Sequence, residues 1–155
     1  MIIDTSVLVA ILREEPDAEA YLEAIRSGTP RRMSAGSYLE LGIVIDGPGD
    51  PIASRRVDDV LSRMLVSMDP VTASQAMIAR QAYRDFGKGR HRAGLNFGDC
   101  FAYALARELN EPLLFKGDDF THTDIPFVGP RSDRHRLHEA LARYGVQADD
   151  AGDRG

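Results

Sequence analysis

Cysteine is almost absent from this chain of 155 residues, because Cys100 is the only one. A single cysteine excludes any intrachain disulfide, and structural disulfides belong mainly to secreted proteins. We therefore expect a protein of the reducing cytoplasm. A lone thiol is more often a small core residue than a nucleophile, so we expect Cys100 to be buried. Hydrophobic residues make up 43% of the chain, enough for one domain to form a core without cross-links.

Long apolar runs are also missing. A stretch of about 18 apolar residues is the usual sign of a membrane-spanning helix, and the chain has none. The opening residues Met1-Ile2-Ile3 have no basic region before them and no cleavage site after them, as a secretory signal peptide would have. We expect neither a membrane span nor a signal peptide.

Positive charge is in deficit as well. The formal net charge of −5 argues against a protein that binds nucleic acid through its overall charge. It does not exclude a nuclease, because a cluster of catalytic carboxylates adds negative charge that metal ions neutralise locally. The charge therefore restricts the way in which nucleic acid could be bound and leaves the function open.

Short apolar segments alternate with longer segments of helical periodicity. The apolar segments predict strands at 1–4, 32–35, 65–68, 112–115 and 127–128. Helices are predicted at 7–12, 16–27, 38–45, 52–64 and 72–86, and a further one has Asp99 in its first turn. This alternation predicts an α/β sandwich around a mainly parallel sheet.

Two of these helices carry more specific expectations. Thr5-Ser6 precedes the apolar run of the first helix and has the residue types of an N-cap. In the helix at 38–45, the spacing of Leu39 with Gly42 or Ile43 predicts one buried face. Between the last two helices, residues 87–94 are too rich in glycine and basic residues for regular structure.

Four acidic residues lie close to predicted strand ends or in the helices that follow them. Asp4 closes the first strand, Glu40 follows the second by one or two helical turns, and Asp99 begins a helix. Asp118 follows the strand at 112–115, with Asp119 beside it. Because active sites of open parallel sheets form beyond the carboxyl ends of the strands, we expect these acids to meet there.

Gathered carboxylates repel one another and need a cation if all are to stay ionised. Oxygen ligands without cysteine or a convincing histidine favour Mg²⁺ or Mn²⁺ over zinc, and such ions can activate water for phosphodiester hydrolysis. A single aspartate at a strand end is more often a helix cap or a turn former. Four acids in such positions make a purely structural explanation weaker.

The motifs around these acids resemble those of PIN-domain proteins, in particular the VapC ribonuclease toxins of toxin–antitoxin pairs. The resemblance extends from residue 1 to about 130 and is most specific in its second half. Its motifs are Asp4-Thr5-Ser6, Ser37-Tyr38-Leu39-Glu40-Leu41, Leu95-Asn96-Phe97-Gly98-Asp99-Cys100-Phe101-Ala102-Tyr103-Ala104-Leu105-Ala106, Pro112-Leu113-Leu114-Phe115-Lys116-Gly117-Asp118-Asp119-Phe120 and Thr123-Asp124-Ile125.

This resemblance implies a PIN-like three-layer α/β/α sandwich over residues 1–130. It also implies an endoribonuclease that cleaves single-stranded or loop RNA with Mg²⁺ or Mn²⁺. Asp4 and Asp99 would be the principal metal ligands, and Glu40 a ligand or a water-positioning carboxylate. Counting from the strand makes Asp118 the fourth catalytic and metal-binding acid, whereas the aspartate–phenylalanine pair of the motif favours Asp119. Both assignments stay open.

Supporting roles follow from the same resemblance. Thr5 or Ser6 would hold Asp4 by a hydrogen bond, and Asn96 would brace the loop before Asp99. A cognate antitoxin should place an arginine among the carboxylates, and the toxin should form a homodimer. Residues 131–155 depart from the family pattern, and we predict a short helix there followed by a disordered tail.

The densest basic cluster lies in or beside the glycine-rich segment before Asp99. We hypothesise that this cluster holds RNA phosphates against the metal site, although a solvated charged loop explains it equally well. Phe97 and Tyr38 could stack on an RNA base, or could simply be core residues. The cluster consists of Arg84, Lys88, Arg90, His91 and Arg92.

Two other functions compete with a nuclease. A catalytically inactive PIN-fold domain could bind a partner, but all four acidic positions are occupied. A receiver-type phospho-acceptor module also gathers aspartates around Mg²⁺ at strand ends, but it would usually carry an acidic pair early in the chain. Here Asp4 is followed by Thr5-Ser6. Phosphatases of the haloacid-dehalogenase kind need a second aspartate where this chain has Ser6, and are set aside.

Overall fold

The computed structural model describes residues 1–47, 49 and 51–129, and its strands form one parallel sheet. The strands have the order β3-β2-β1-β4-β5, and each neighbouring pair is parallel. The predicted parallel sheet is therefore confirmed, whereas the predicted helix and tail at 131–155 lie outside the described residues. The strands are β1 (Ile2–Ile3), β2 (Arg32–Ser34), β3 (Ser67–Asp69), β4 (Leu113–Leu114) and β5 (Phe127–Val128).

Six described helices cover the two faces of the sheet. They are α1 (Thr5–Leu12), α2 (Ala18–Ser27), α3 (Ala35–Asp46), α4 (Pro51–Arg63), α5 (Ala73–Phe86) and α6 (Asp99–Leu109), and a 3-10 helix at Asp119–His122 follows β4. Within β1 and β4, Ile3 and Leu114 join a core cluster with α1 to α4, while Ile2 and Leu113 join a second cluster with α5 and α6. Successive strand residues thus face opposite layers, which confirms the α/β/α sandwich.

The start of α1 differs from the prediction. Asp4, and not Thr5 or Ser6, is the N-cap residue, and its carboxylate accepts a hydrogen bond from the Ser6 amide. Aspartate is as good an N-cap as serine because its side chain satisfies one of the free amides of the first turn. The predicted cap was therefore wrong by one residue, and the correction gives Asp4 a structural contact beside any chemical role.

The buried face of α3 also differs from the prediction. Leu39 and Ile43 are 63% and 66% exposed, while Ser37, Leu41 and Ile45 face the interior. A shift of two residues turns a helix by about 200°, so the predicted face points away from the core. Both sets of positions have helical spacing, and only packing against the sheet decides between them.

The strand β3 begins two residues later than predicted because Leu65 takes a left-handed conformation, with φ at 53°. Residues 87–94 form an irregular loop, as predicted, closed by a bridge between Gly87 and Leu95.

Cys100 is 5% exposed within the second core cluster, which confirms its expected burial. Within the described part of the chain, no helix has the length and apolarity needed to cross a bilayer.

Candidate active site

The carboxyl ends of the three central strands lead into the segments that carry all of the predicted acids except Asp99. Asp4 directly follows β1, and Glu40 lies in α3, which begins immediately after β2. Asp118 and Asp119 lie in the turn after β4, and Asp99 is the first residue of α6. Because β2, β1 and β4 are adjacent and parallel, the segments that follow them meet at one edge of the sheet. Asp99 joins them from α6, since the charges of Asp4, Asp119 and Glu40 all raise its pKa.

Asp4 is the most deeply placed of these acids, with only 3% of its surface exposed. Its Oδ2 accepts hydrogen bonds from the amide of Ser6 at 2.9 Å and from the hydroxyl of Ser6 at 2.6 Å. Its Oδ1 is buried and has no hydrogen-bond partner among the residues that the structure describes. Burial raises the pKa of Asp4, and the hydrogen bonds from Ser6 oppose that rise. A buried carboxylate oxygen without a donor is costly unless a cation faces it.

The two hydroxyl residues after Asp4 have different tasks. The Ser6 hydroxyl donates to Asp4 and accepts a hydrogen bond from the Lys116 amide at 3.0 Å, so it links Asp4 to the end of β4. The Thr5 hydroxyl lies 3.2 Å from the Ser37 carbonyl oxygen, and a hydrogen bond from it lowers the pKa of Glu40. Ser6 is therefore the hydroxyl residue that holds the Asp4 side chain, while Thr5 contacts Ser37 and Glu40 of α3.

Asp99 is fixed by a reciprocal pair of hydrogen bonds with Asn96. Its Oδ2 accepts from the Asn96 amide at 2.7 Å, and its own amide donates to the Asn96 Oδ1 at 3.0 Å. Asp99 is 8% exposed. Burial raises its pKa to about 7, and the negative charges of Asp4, Asp119 and Glu40 contribute to that rise. The hydrogen bonds fix the position of the carboxylate, and no cationic side chain of the described residues forms an ion pair with it.

Glu40 lies half-buried between Asp4 and the start of α6. Burial raises its pKa, the charge of Asp4 adds to that rise, and the Thr5 hydrogen bond opposes it. A side-chain carbon at Gly98 would overlap the Glu40 carboxylate, so the glycine is what allows helix and acid to approach. The sequence reasoning missed Gly98, although a glycine immediately before a helix that opens with an aspartate was a usable signal.

The two candidates for the fourth acid are both exposed but are not equivalent. The charge of Asp119 raises the pKa values of Asp4 and Asp99, whereas Asp118 is not among the groups that act on Asp4, Glu40 or Asp99. The Asp118 carbonyl instead accepts hydrogen bonds from Thr121 at the start of the 3-10 helix. We define the acidic cluster as Asp4, Glu40, Asp99 and Asp119.

The acidic cluster suits a hydrated cation better than a fully protein-coordinated one. Among the described residues, no three Asp, Glu, His or Cys side chains converge closely enough to hold an ion by themselves. Mg²⁺ keeps several of its waters and is often bound through one or two carboxylates. The free Oδ1 of Asp4 and the mutual repulsion of the four acids fit such an ion. Asp4 and Asp99 could contact it directly, and Glu40 and Asp119 through water.

The predicted basic cluster is exposed except for one member. Arg84 lies near the end of α5, and Lys88, Arg90 and Arg92 lie in the following loop, where none forms an ion pair with a described carboxylate. His91 instead packs edge-on against Phe86 and accepts a hydrogen bond from the Ala93 amide. Four of the five side chains are thus free to bind an anion, while His91 shapes the loop.

Comparison with known proteins points to one family. The family model for the PIN domain matches residues 1–126. Ribonuclease VapC28 of Mycobacterium tuberculosis is 54% identical over 126 residues, which cover 81% of this chain and 95% of that protein.

Two solved structures share the fold at low sequence identity. The VapC20 toxin of M. tuberculosis, described as cleaving the sarcin-ricin loop, matches with a TM-score of 0.68 and 17% identity, over 83% of this chain and 98% of that one. A toxin–antitoxin complex from Klebsiella pneumoniae matches with a TM-score of 0.61 and 16% identity, over 79% and 92%. The length and identity of the match to VapC28, together with the PIN model, show that the chain belongs to the PIN-domain family, within the group of VapC ribonucleases.

Proposed function

We propose that this protein is a divalent-metal-dependent endoribonuclease that acts as the toxin of a toxin–antitoxin pair. The observation that carries the proposal is the acidic cluster, in which buried Asp4 and Asp99 face no protein cation among the described residues and Asp4 keeps one oxygen without a donor. The relatives named as ribonucleases support RNA as the substrate. Because that substrate is cellular RNA, we place the activity in the cytoplasm.

The four acids would divide the work at a phosphodiester. A bound Mg²⁺ or Mn²⁺ would lower the pKa of a water molecule and draw charge from the phosphate. Asp4 and Asp99 would hold the ion, Asp4 oriented by Ser6 and Asp99 by Asn96. Glu40, half-buried at the edge of the cluster, would orient the attacking water. Asp119 is our choice for the fourth acid because its charge acts on Asp4 and Asp99.

The substrate would be held outside the acidic cluster by the basic side chains next to it. Arg84, Lys88, Arg90 and Arg92 are exposed and unpaired with described carboxylates, so they can contact the phosphates of single-stranded or loop RNA. Such contacts let a protein of net negative charge bind RNA through a local patch.

Two protein partners belong to this proposal. An antitoxin segment would cover the acidic cluster and place an arginine among its carboxylates, and the likeness to a solved toxin–antitoxin complex supports such a partner. A homodimer would bury apolar side chains that α3 leaves in solvent, among them Leu39 and Ile43. Light scattering on the purified toxin tests the dimer, and co-purification with the product of the adjacent small open reading frame tests the antitoxin.

The two competing functions are not favoured. An inactive PIN-fold interaction domain has no need of four acids whose charges act on one another. The relatives that are about half identical to this chain carry the name ribonuclease. A receiver-type module is a different fold family from the one to which this chain belongs. Labelling of one aspartate by a small phosphate donor would be the evidence for that module.

A cleavage assay tests the proposed function. Purified, antitoxin-free protein is incubated with a mixed RNA pool and Mg²⁺, Mn²⁺ or EDTA, beside the variants Asp99→Asn and Asp59→Asn. Asp59 is an exposed acid of α4, remote from the acidic cluster in the sequence and in no ion pair among the described residues. We expect metal-dependent cleavage that Asp99→Asn abolishes and Asp59→Asn retains. Absence of cleavage by folded protein with either metal would contradict the proposal.

A further inference from the structure

A cavity of about 750 Å³ lies between α5 and α6, and its lining includes Cys100, which directly follows Asp99 in the chain. We call it the α5–α6 groove. Its volume falls within the usual range for sites that bind small molecules or single nucleotides. The described residues that line it are Ala76, Ala79, Arg80, Tyr83, Arg84, Arg90, Phe97, Cys100 and Phe101.

The charged residues of the α5–α6 groove are all of one sign. Arg80, Arg84 and Arg90 line it, and no described acidic residue does. None of the three arginines forms an ion pair within the described ranges 1–47, 49 and 51–129. In a chain of net charge −5, this local excess of unpaired guanidinium groups favours an anionic occupant.

Between the arginines the lining is apolar and aromatic. Phe97 is 78% exposed and meets the Phe101 ring edge-on, with 4.9 Å between ring centroids. The guanidinium carbon of Arg90 lies 5.9 Å from the Tyr83 ring centroid. An exposed aromatic ring supported by a second ring, with arginines at its side, is the arrangement that stacks on a base while cations hold the adjoining phosphates.

The α5–α6 groove also has a fixed relation to the acidic cluster. Phe97 precedes Asp99 by two residues, and Cys100 follows Asp99 directly, so both belong to the same turn that presents the carboxylate. The reciprocal hydrogen bonds between Asn96 and Asp99 hold this turn in place. The groove and the Asp99 carboxylate are therefore built on one short segment of chain, residues 97–100.

We propose that the α5–α6 groove binds one unstacked nucleobase of the RNA, from a nucleotide adjacent to the scissile bond. Phe97 stacks on the base, and Arg80, Arg84 and Arg90 contact the phosphates on either side. The groove thereby selects single-stranded or loop RNA, because a base within a duplex cannot enter it. This inference rests on the proposed function and adds to it a site that determines which RNA is cut.

Binding is measured by fluorescence anisotropy with labelled single-stranded oligoribonucleotides and protein carrying Asp99→Asn, which prevents cleavage. In that background we expect Phe97→Ala to weaken binding about tenfold, as loss of one stacked base would. Phe97→Trp should retain the affinity. Met77→Ala removes a similarly exposed apolar side chain of α5 that is outside the groove lining, and should leave the affinity unchanged.

An abasic scan separates base stacking from general surface effects. A single abasic nucleotide is placed at each position of the oligoribonucleotide in turn. At one position we expect the missing base to weaken binding about tenfold when the protein has Phe97. The same missing base should have no effect on binding by the Phe97→Ala variant. Equal affinity of the Phe97→Ala variant and its parent for every oligoribonucleotide would overturn the proposal. So would loss of self-association or of antitoxin binding in Phe97→Ala with RNA affinity unchanged, because the groove would then be a protein interface.

Failure of this inference can be told apart from failure of the proposed function. With Asp99 intact, a protein that cleaves RNA in a metal-dependent manner and keeps its cleavage sites and rates after Phe97→Ala is a nuclease without this base site. A protein that cleaves no RNA contradicts the proposed function, whatever the binding experiment gives.

Discussion

Two groups of carboxylates in this molecule differ in what neutralises them. Glu15 and Asp17 accept hydrogen bonds from the Lys116 ammonium group at 2.5 and 2.7 Å. Within the described part of the chain, no member of the acidic cluster has an ion pair, although two of its members are among the most buried acids. The deeper carboxylates are thus the ones without a cation.

This difference indicates which group is structural and which awaits an external charge. Burial and neighbouring negative charges raise the pKa values of Asp4, Glu40 and Asp99, which costs folding free energy whenever these acids are ionised. For Glu15 and Asp17, the ammonium group of Lys116 supplies the opposite charge within the protein itself. Uncompensated clusters of this kind are typical of functional sites, and a bound cation would remove the penalty.

The largest effect should come from removing one carboxylate of the acidic cluster. Asp4→Asn keeps the size of the side chain and removes its charge, so the proposed metal ion would lose a principal ligand. We expect the rate of RNA cleavage to fall by about a thousandfold or more, which corresponds to several kcal/mol of lost electrostatic stabilisation. Steady-state kinetics in Mg²⁺ measures the loss. Asp17→Asn removes an acid that is paired with Lys116, and its cleavage rate should stay within about twofold of the parent rate.

The next largest effect should be on the pH dependence of stability, to which Asp99 of the acidic cluster contributes. The folded-state pKa of Asp99 is about 7, raised from 3.8, so its stabilising contribution is complete below about pH 4 and disappears as the pH rises through 7. In EDTA, we therefore expect Asp99→Asn to raise the free energy of unfolding at pH 8 relative to the parent. The difference between variant and parent should be larger at pH 8 than at pH 4, by on the order of 2–4 kcal/mol. Urea denaturation at the two pH values measures this, and an equal effect at both would contradict the argument.

A smaller effect should follow from the hydroxyl that orients Asp4. Ser6→Ala removes the 2.6 Å hydrogen bond to Asp4 and the acceptor for the Lys116 amide. We expect Mn²⁺ affinity and cleavage rate to fall by about 10- to 100-fold, as for other residues that orient metal ligands. Ser27→Ala, which removes an exposed hydroxyl bonded only within α2, is the matched control. Unchanged Mn²⁺ affinity in Ser6→Ala would show that Asp4 needs no such support.

The smallest effect should come from the ion pairs of Lys116 with Glu15 and Asp17. Lys116→Met removes the cation that Glu15 and Asp17 share. Because all three side chains are partly exposed, we expect a loss of no more than about 1 kcal/mol of stability. Metal affinity should not change, since the backbone amide of residue 116 still reaches Ser6. A marked fall in Mn²⁺ affinity would mean that the two groups of carboxylates are coupled.

Much of the fold could be predicted from the sequence because it depends on local patterns. Apolar runs of strand length alternate with helical periodicity, and Asp4, Glu40 and the Asp118-Asp119 pair come after strands. Asp99 follows no strand, and its place at the start of α6 was predicted correctly from the helical periodicity of the residues after it. The buried face of α3 was not, since Leu39 and Ile43 have the same spacing as Leu41 and Ile45, and contact with the sheet alone distinguishes them.

The finer geometry of the site depends on contacts distant in sequence. The choice between Asp118 and Asp119 depends on how the 3-10 helix turns after β4, which the local sequence does not encode. The need for glycine at position 98 comes from Glu40, far away along the chain. That Asp4 Oδ1 is buried without a hydrogen-bond partner among the described residues is likewise a property of the folded chain that no local motif shows.

A calorimetric titration with Mn²⁺ tests the central claim most directly, because it needs neither the RNA target nor turnover. The metal-free protein, Asp99→Asn and Asp59→Asn are titrated near pH 7, where Asp99 is partly protonated. We predict saturable binding with release of protons for the parent and Asp59→Asn, and its loss in Asp99→Asn. Binding of equal strength in all three proteins, or none in the parent, would contradict a metal site at the acidic cluster.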